Sequence, residues 1–119
     1  MMIKSLYLVK NDLQPYYRVT VKDSDGNLID LSGATIVATM KNTSAGTLKL
    51  NRQSAGIVIA NQTTNKGEFE YRWQTNDTDT AGTYYIEFEV VPSSGGKFTL
   101  PSPDKGPAKV VIEESLDAV

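Results

Sequence analysis

The 119-residue chain contains no cysteine and no histidine. A Ser-His-Asp or Cys-His nucleophile system therefore cannot be assembled within it. Zinc sites of ordinary nitrogen and sulfur composition are excluded for the same reason. No disulfide can staple the core, so packing alone must hold it, which suits synthesis in a reducing compartment. No apolar run approaches the roughly 20 residues that span a bilayer. The segment Met1 to Lys10, interrupted by Ser5 and Tyr7, is too short and too alternating for a secretory signal. Its 12 basic and 14 acidic residues leave a net charge of -2 and form no run of one sign. Such a surface has no electrostatic footprint for nucleic acid or an anionic membrane, and neither is expected as a partner.

What the chain does have is alternation of period two, with no helical periodicity of useful length. Leu6 and Leu8 share one face of a first strand and Tyr7 and Val9 the other. Tyr17, Val19 and Val21 alternate with Arg18, Thr20 and Lys22 after Pro15, and Ala34, Ile36, Ala38 and Met40 form another apolar face. Asn42 to Ser54 reads as a hairpin or an edge strand around Leu48 and Leu50, and Ile57 to Ala60 as a short β-branched strand. Phe69, Tyr71 and Trp73 against Glu68, Glu70 and Arg72 give the cleanest alternation and should supply much of the core. Ile86, Phe88 and Val90 alternate with Glu87 and Glu89, and Ser93 to Gly96 closes a hairpin onto Lys97 to Leu100. Pro101, Pro103 and Pro107 bar the next stretch from a central strand, and Lys109 to Glu113 forms the last one.

The stretch from Asp77 to Tyr85 sets the architecture. A turn followed by a tyrosine at the mouth of a strand, with an apolar residue two places on, marks the corner of an immunoglobulin-like sandwich. Here Tyr84 takes the tyrosine position, and Ile86 stands where antibody domains carry a cysteine. Eight or nine short strands with frequent turns and no helix predict an all-β fold, an immunoglobulin-like antiparallel two-sheet β-sandwich. One domain is expected over 1–119, with an N-terminal arm over 1–11 and a polar C-terminal tail over 114–119.

Candidate chemistry is sparse. Asp23-Ser24-Asp25-Gly26-Asn27 resembles the first half of a calcium loop, but Ala34 stands where the bidentate glutamate belongs. Turn chemistry accounts for that stretch, and for Asn76, Asp77 and Asp79, without a metal. Glu87, Glu89, Glu113 and Glu114 read as a solvated outer face. Three Asn-X-Ser/Thr triplets, at Asn42, Asn61 and Asn76, read as chance in an Asn- and Thr-rich chain. No catalytic, cofactor-binding or metal-ligating residue is assigned, and no enzyme activity or cofactor is expected. Exposure of Tyr16, Tyr17 or Trp73 would instead supply an aromatic platform for a glycan.

The order of segments adds a resemblance. Leu31-Ser32-Gly33-Ala34-Thr35-Ile36, Met40-Lys41, Gly67-Glu68-Phe69-Glu70-Tyr71-Arg72-Trp73, Asp77-Thr78, Ala81-Gly82-Thr83-Tyr84-Tyr85-Ile86-Glu87-Phe88-Glu89-Val90 and Gly96-Lys97-Phe98-Thr99-Leu100-Pro101 follow one another. This series, over roughly residues 17 to 113, resembles the N-terminal immunoglobulin-like domain of the bacteriophage upper baseplate protein family. Members of that family usually continue into a long C-terminal region, and the stretch Ser102 to Pro107 is longer than their usual link. The resemblance implies a virion structural protein, made in the host bacterial cytoplasm and acting by protein-protein assembly in a baseplate, tail, neck or decoration layer. It also implies other virion proteins as partners, and a homo-oligomer. The alternative is a carbohydrate-binding adsorption module of a phage particle. Met1 to Asn11 and Ser102 to Pro107 are the stretches expected to meet partners, because terminal arms and long loops are free to do so.

Overall fold

Alternation resolves into nine strands in a computed structural model that describes residues 5–101 and 106–116. They are β1 (Leu6–Val9), β2 (Tyr17–Thr20), β3 (Thr35–Asn42), β4 (Leu48–Gln53), β5 (Ile57–Ile59), β6 (Glu68–Tyr71), β7 (Gly82–Val91), β8 (Phe98–Leu100) and β9 (Ala108–Glu113). Their pairing gives a large sheet ordered β1-β9-β7-β3-β4 and a small sheet ordered β2-β6-β5, the two layers of an immunoglobulin-like β-sandwich. Every ladder is antiparallel except one. β1 runs parallel to β9, with Leu8 opposite Ile112. The stretch read as an arm over 1–11 thus contributes an integral strand at residues 6–9, while residues 1–4 lie outside the described residues, as do 102–105 and 117–119.

Period two places the core between the layers. From the large sheet come Leu8, Ile36, Ala38, Met40, Ile86, Phe88, Val90, Val110 and Ile112, and from the small-sheet side Tyr17, Val19, Phe69, Tyr71 and Trp73, all buried. Phe88 joins the layers. Its ring lies 5.2 Å from Phe69, edge to face, and 5.5 Å from Tyr17. On the small-sheet side the chain passes very close to the end of β6 at Gly56. A Cβ there would sit 2.3 Å from the Arg72 carbonyl and 2.7 Å from the Tyr71 ring, so no side chain fits.

β7 is long enough to carry two partners along the same edge. Its second half pairs with β8, Phe88 opposite Leu100, and its first half with β9, Ile86 opposite Ala108. A continuous partner strand would have put the second residue after Leu100 opposite Ile86. Ala108 stands there six residues later, so the proline-bearing stretch is an excursion from a single interrupted strand.

The tyrosine corner forms as the sequence predicts. Tyr84 is buried and its hydroxyl donates to the Thr80 carbonyl at 2.7 Å, four residues back along the chain. Tyr84→Phe removes that bond and leaves the carbonyl to find another donor. The expected cost is about 1 kcal/mol, or roughly 4 °C in Tm, read by thermal unfolding of the two proteins side by side.

Candidate interaction surface

Directly opposed residues in a ladder point to one face of the sheet. On the large sheet this rule collects Thr35 with Val91, Val37 with Glu89, Thr39 with Glu87 and Lys41 with Tyr85 on the side away from the core. It adds Lys109 beside Tyr85, Val111 beside Thr83, and finally Tyr7 beside Val111. Among the described residues no further sheet packs on this face. Of the eight exposed large apolar side chains among the described residues, five lie on it: Tyr7, Val9, Leu48, Tyr85 and Val91. Scattered exposed apolar residues are ordinary; here five of the eight share one face, with Lys41, Glu87, Glu89 and Lys109 set among them.

Leu48 reaches that face through an irregularity. Simple alternation would send Leu48 and Leu50 to the same side. The ladder instead shifts register between Met40 and Lys41, so Leu50 sits opposite Met40 in the core and Leu48 opposite Lys41 outside. Leu48, Lys41, Tyr85, Glu87 and Thr39 then floor a groove of about 690 Å³, walled by Pro101 and Pro107 at the two ends of the excursion. Of the stretch Ser102 to Pro107, residues 102–105 lie outside the described residues.

Ion pairs trim the rest of the face. Arg52 grips Glu89 through its two terminal guanidinium nitrogens at 2.8 and 3.1 Å, and Lys97 stands 3.9 Å from the same carboxylate. The outer carboxylates expected from the sequence do point outward, but Glu89 is neutralised by a partner distant in the chain. The hydrogen bond from Arg52 holds the Glu89 carboxyl below its usual range, and Lys49 does the same for Asp79. The Asn27 backbone N–H lowers Asp23, and the Ser32 hydroxyl lowers Asp30. Carboxyls depressed in the folded state contribute stability that is complete above their unfolded values and is lost as pH falls through the folded ones. Urea midpoints are therefore expected to hold from neutrality to about pH 5 and to fall below about pH 4, with a shallower fall in Glu89→Gln.

The other residues singled out by sequence take structural places. Asp23 uses Oδ1 to accept the Asp25 and Asn27 N–H groups, both at 2.9 Å, which is turn chemistry. Asp77 and Asp79 do not converge. Asp79 turns to Lys49, while buried Asp77 accepts the Tyr71 hydroxyl at 2.6 Å and the Gln74 N–H at 2.7 Å. Burial, and then the Asp77 carboxylate, push the Tyr71 phenol up, so it stays a donor. Among the described residues no three acidic side chains gather in a way that could hold a metal ion. Tyr17 and Trp73 lie in the core, where the Trp73 indole donates to the Pro15 carbonyl at 3.0 Å. Tyr16 is half-buried under the Arg72 guanidinium, 5.1 Å from its ring centre. The aromatic platform those three residues were to provide is not assembled; the exposed tyrosines are Tyr7 and Tyr85.

No protein-family model and no curated protein matches the chain. Among solved structures, CopC from Methylosinus trichosporium OB3b is similar with a TM-score of 0.53 and 13% identity, over 99% of this chain and 91% of that one. SGBP-B of the Bacteroides ovatus mixed-linkage glucan utilization locus, in complex with a mixed-linkage heptasaccharide, gives a TM-score of 0.41 and 13% identity. The chain spans 21% of that protein. The likeness to CopC is one of fold, and the second adds nothing to it.

Residues that alternation alone could not single out are those joined across sequence distance. Gln62 is the clearest: its side-chain oxygen accepts the Leu31 and Gly67 N–H groups while its amide donates to the Ala60 carbonyl. Its neighbours Asn61 and Thr63 announce a turn, and nothing local marks Gln62 as the residue that ties it to the chain before β3.

Proposed function

We propose that this chain is a non-enzymatic structural protein of a bacteriophage particle and acts by protein-protein assembly in a baseplate, tail, neck or decoration layer. The observation that carries the assembly reading is the outer face of the large sheet, where five exposed large apolar side chains gather on one rigid surface. The ordered series of segments from Leu31 to Pro101 supports the virion setting through its resemblance to upper baseplate proteins. On this reading function is geometric. A disulfide-free sandwich folds in the host cytoplasm and offers a face and strand edges to copies of itself and to neighbouring virion proteins.

The test is made on particles. Purified particles of a phage encoding the chain, analysed by mass spectrometry and labelled with an antibody to it, are expected to hold it in fixed copy number at one place. Particles that assemble, infect and contain none of it overturn the reading.

A further inference from the structure

The sandwich has several open strand edges, and natural sheets blunt such edges with charge, proline, bulges or shortness. β4 carries Lys49 and Arg52 and a shifted register, with Arg52 at a φ of 52°. β2 follows Pro15 and carries Arg18, which pairs with Glu70 at 3.5 Å. β5 and β8 have three residues each. β1 differs from all of these, because Leu6-Tyr7-Leu8-Val9 has no charge, proline or bulge.

Backbone direction shows what this edge offers. The Lys10 N–H donates to the Glu113 carbonyl at 2.8 Å, and backbone groups of alternate residues in a strand point to opposite sides. Leu6, Leu8 and Lys10 thus turn theirs to β9, while Tyr7 and Val9 turn theirs to the open side. The Val9 carbonyl accepts the Asp12 N–H at 2.9 Å, which closes the end of the strand. Tyr7 sits in the middle of the open edge, with its side chain 64% exposed on the outer face.

We infer that the β1 edge pairs with the β1 edge of a second copy of this chain, antiparallel about a two-fold axis at Tyr7, making one continuous sheet of the two large sheets. This rests on the assembly reading and names its partner. Opposed residues must share a face, so Tyr7, which points outward, can stand opposite Tyr7 of the second copy. Such a pair exchanges both N–H···O=C bonds, using the two groups that Tyr7 turns to the open side. Leu6 then faces Leu8 of the second copy on the inner side, covering a side chain that borders a hollow of about 450 Å³ beside Pro15 and Tyr16. On the outer side Tyr7, Val9 and Val111 of both copies join into one apolar strip. The contact is self-complementary, as a two-fold interface must be. A second copy fits this edge because the Tyr7 pair and the two Leu6–Leu8 pairs are apolar and repeat themselves about the two-fold axis, with Ser5 opposite Val9 at each end of the seam.

Sedimentation velocity of the full chain over a wide concentration range tests this. The wild type and Tyr7→Phe are expected to dimerise. Tyr7→Lys places two like charges opposite each other and is expected to weaken the dimer at least tenfold, as is Tyr7→Glu. An equal mixture of the lysine and glutamate variants is expected to restore it, because position 7 faces its own copy. Tyr7 is outward and exposed, so circular dichroism is expected to show both variants folded. A wild type that stays monomeric throughout, or charged variants that dimerise like it, overturn the β1 inference, and a mixture no more associated than its components overturns the register. None of these results removes the chain from the particle, so the assembly reading stands or falls separately.

Discussion

Phe88→Ala is expected to cost about 4 kcal/mol. Phe88 is fully buried at the middle of β7, and it is the residue through which the large sheet meets Phe69 and Tyr17 of the small one. Truncation removes both ring contacts and leaves a cavity that two rigid sheets cannot close, because each is fixed by its own ladder. Domains of this size are stable by only about 5 to 15 kcal/mol, so a large share of the total is at stake. The expected readout is a fall in Tm of about 15 °C, with Phe88→Leu recovering much of it by refilling the space. A Phe88→Ala protein that melts within a few degrees of the wild type would show that the sheets are held elsewhere.

Asp77→Ala is expected to cost about 3 kcal/mol by a different route. It strands the buried Tyr71 hydroxyl and the Gln74 N–H, each bonded to the same carboxylate oxygen. The damage should also travel along the corner. Thr78, next in sequence, donates its hydroxyl to the Asp12 carbonyl at 2.9 Å and accepts the Asn11 N–H at 2.8 Å, pinning the connection that follows β1. Urea unfolding is expected to give the cost, and native-state hydrogen exchange to give its reach, as faster exchange at the Asn11 amide. Asp77→Asn, which keeps shape and one acceptor, should fall between alanine and the wild type. If the Asn11 amide exchanges as in the wild type, corner and edge strand are independent.

The layers were legible in the sequence because alternation writes facing directly into residue order. Phe69, Tyr71 and Trp73 go inward because their neighbours Glu68, Glu70 and Arg72 cannot, and Tyr84 marks the corner because only there does its hydroxyl meet a carbonyl four residues back. Alternation fixes a face but not a partner. The parallel union of β1 with β9 joins the two ends of the chain, and no local pattern states it. Leu48 escaped for the opposite reason, since the register shift beside it breaks the period that would have placed it. The outer face as a surface was legible only in pieces, as exposed residues of separate strands whose order in the sheet was unknown. The Arg52–Glu89 pair likewise depends on β3 standing between β4 and β7.

The interrupted partner strand of β7 has a consequence for how such a domain can diversify. Leu100 and Ala108 are each held opposite a fixed residue of β7, on either side of the excursion. The register of both flanks is therefore independent of how many residues lie between them. Chain can be added or removed there without sliding any buried side chain out of the core, as loop closure grows only slowly in cost with length. That makes the interval between Leu100 and Ala108 a place where sequence can be inserted into a scaffold that need not be rebuilt each time.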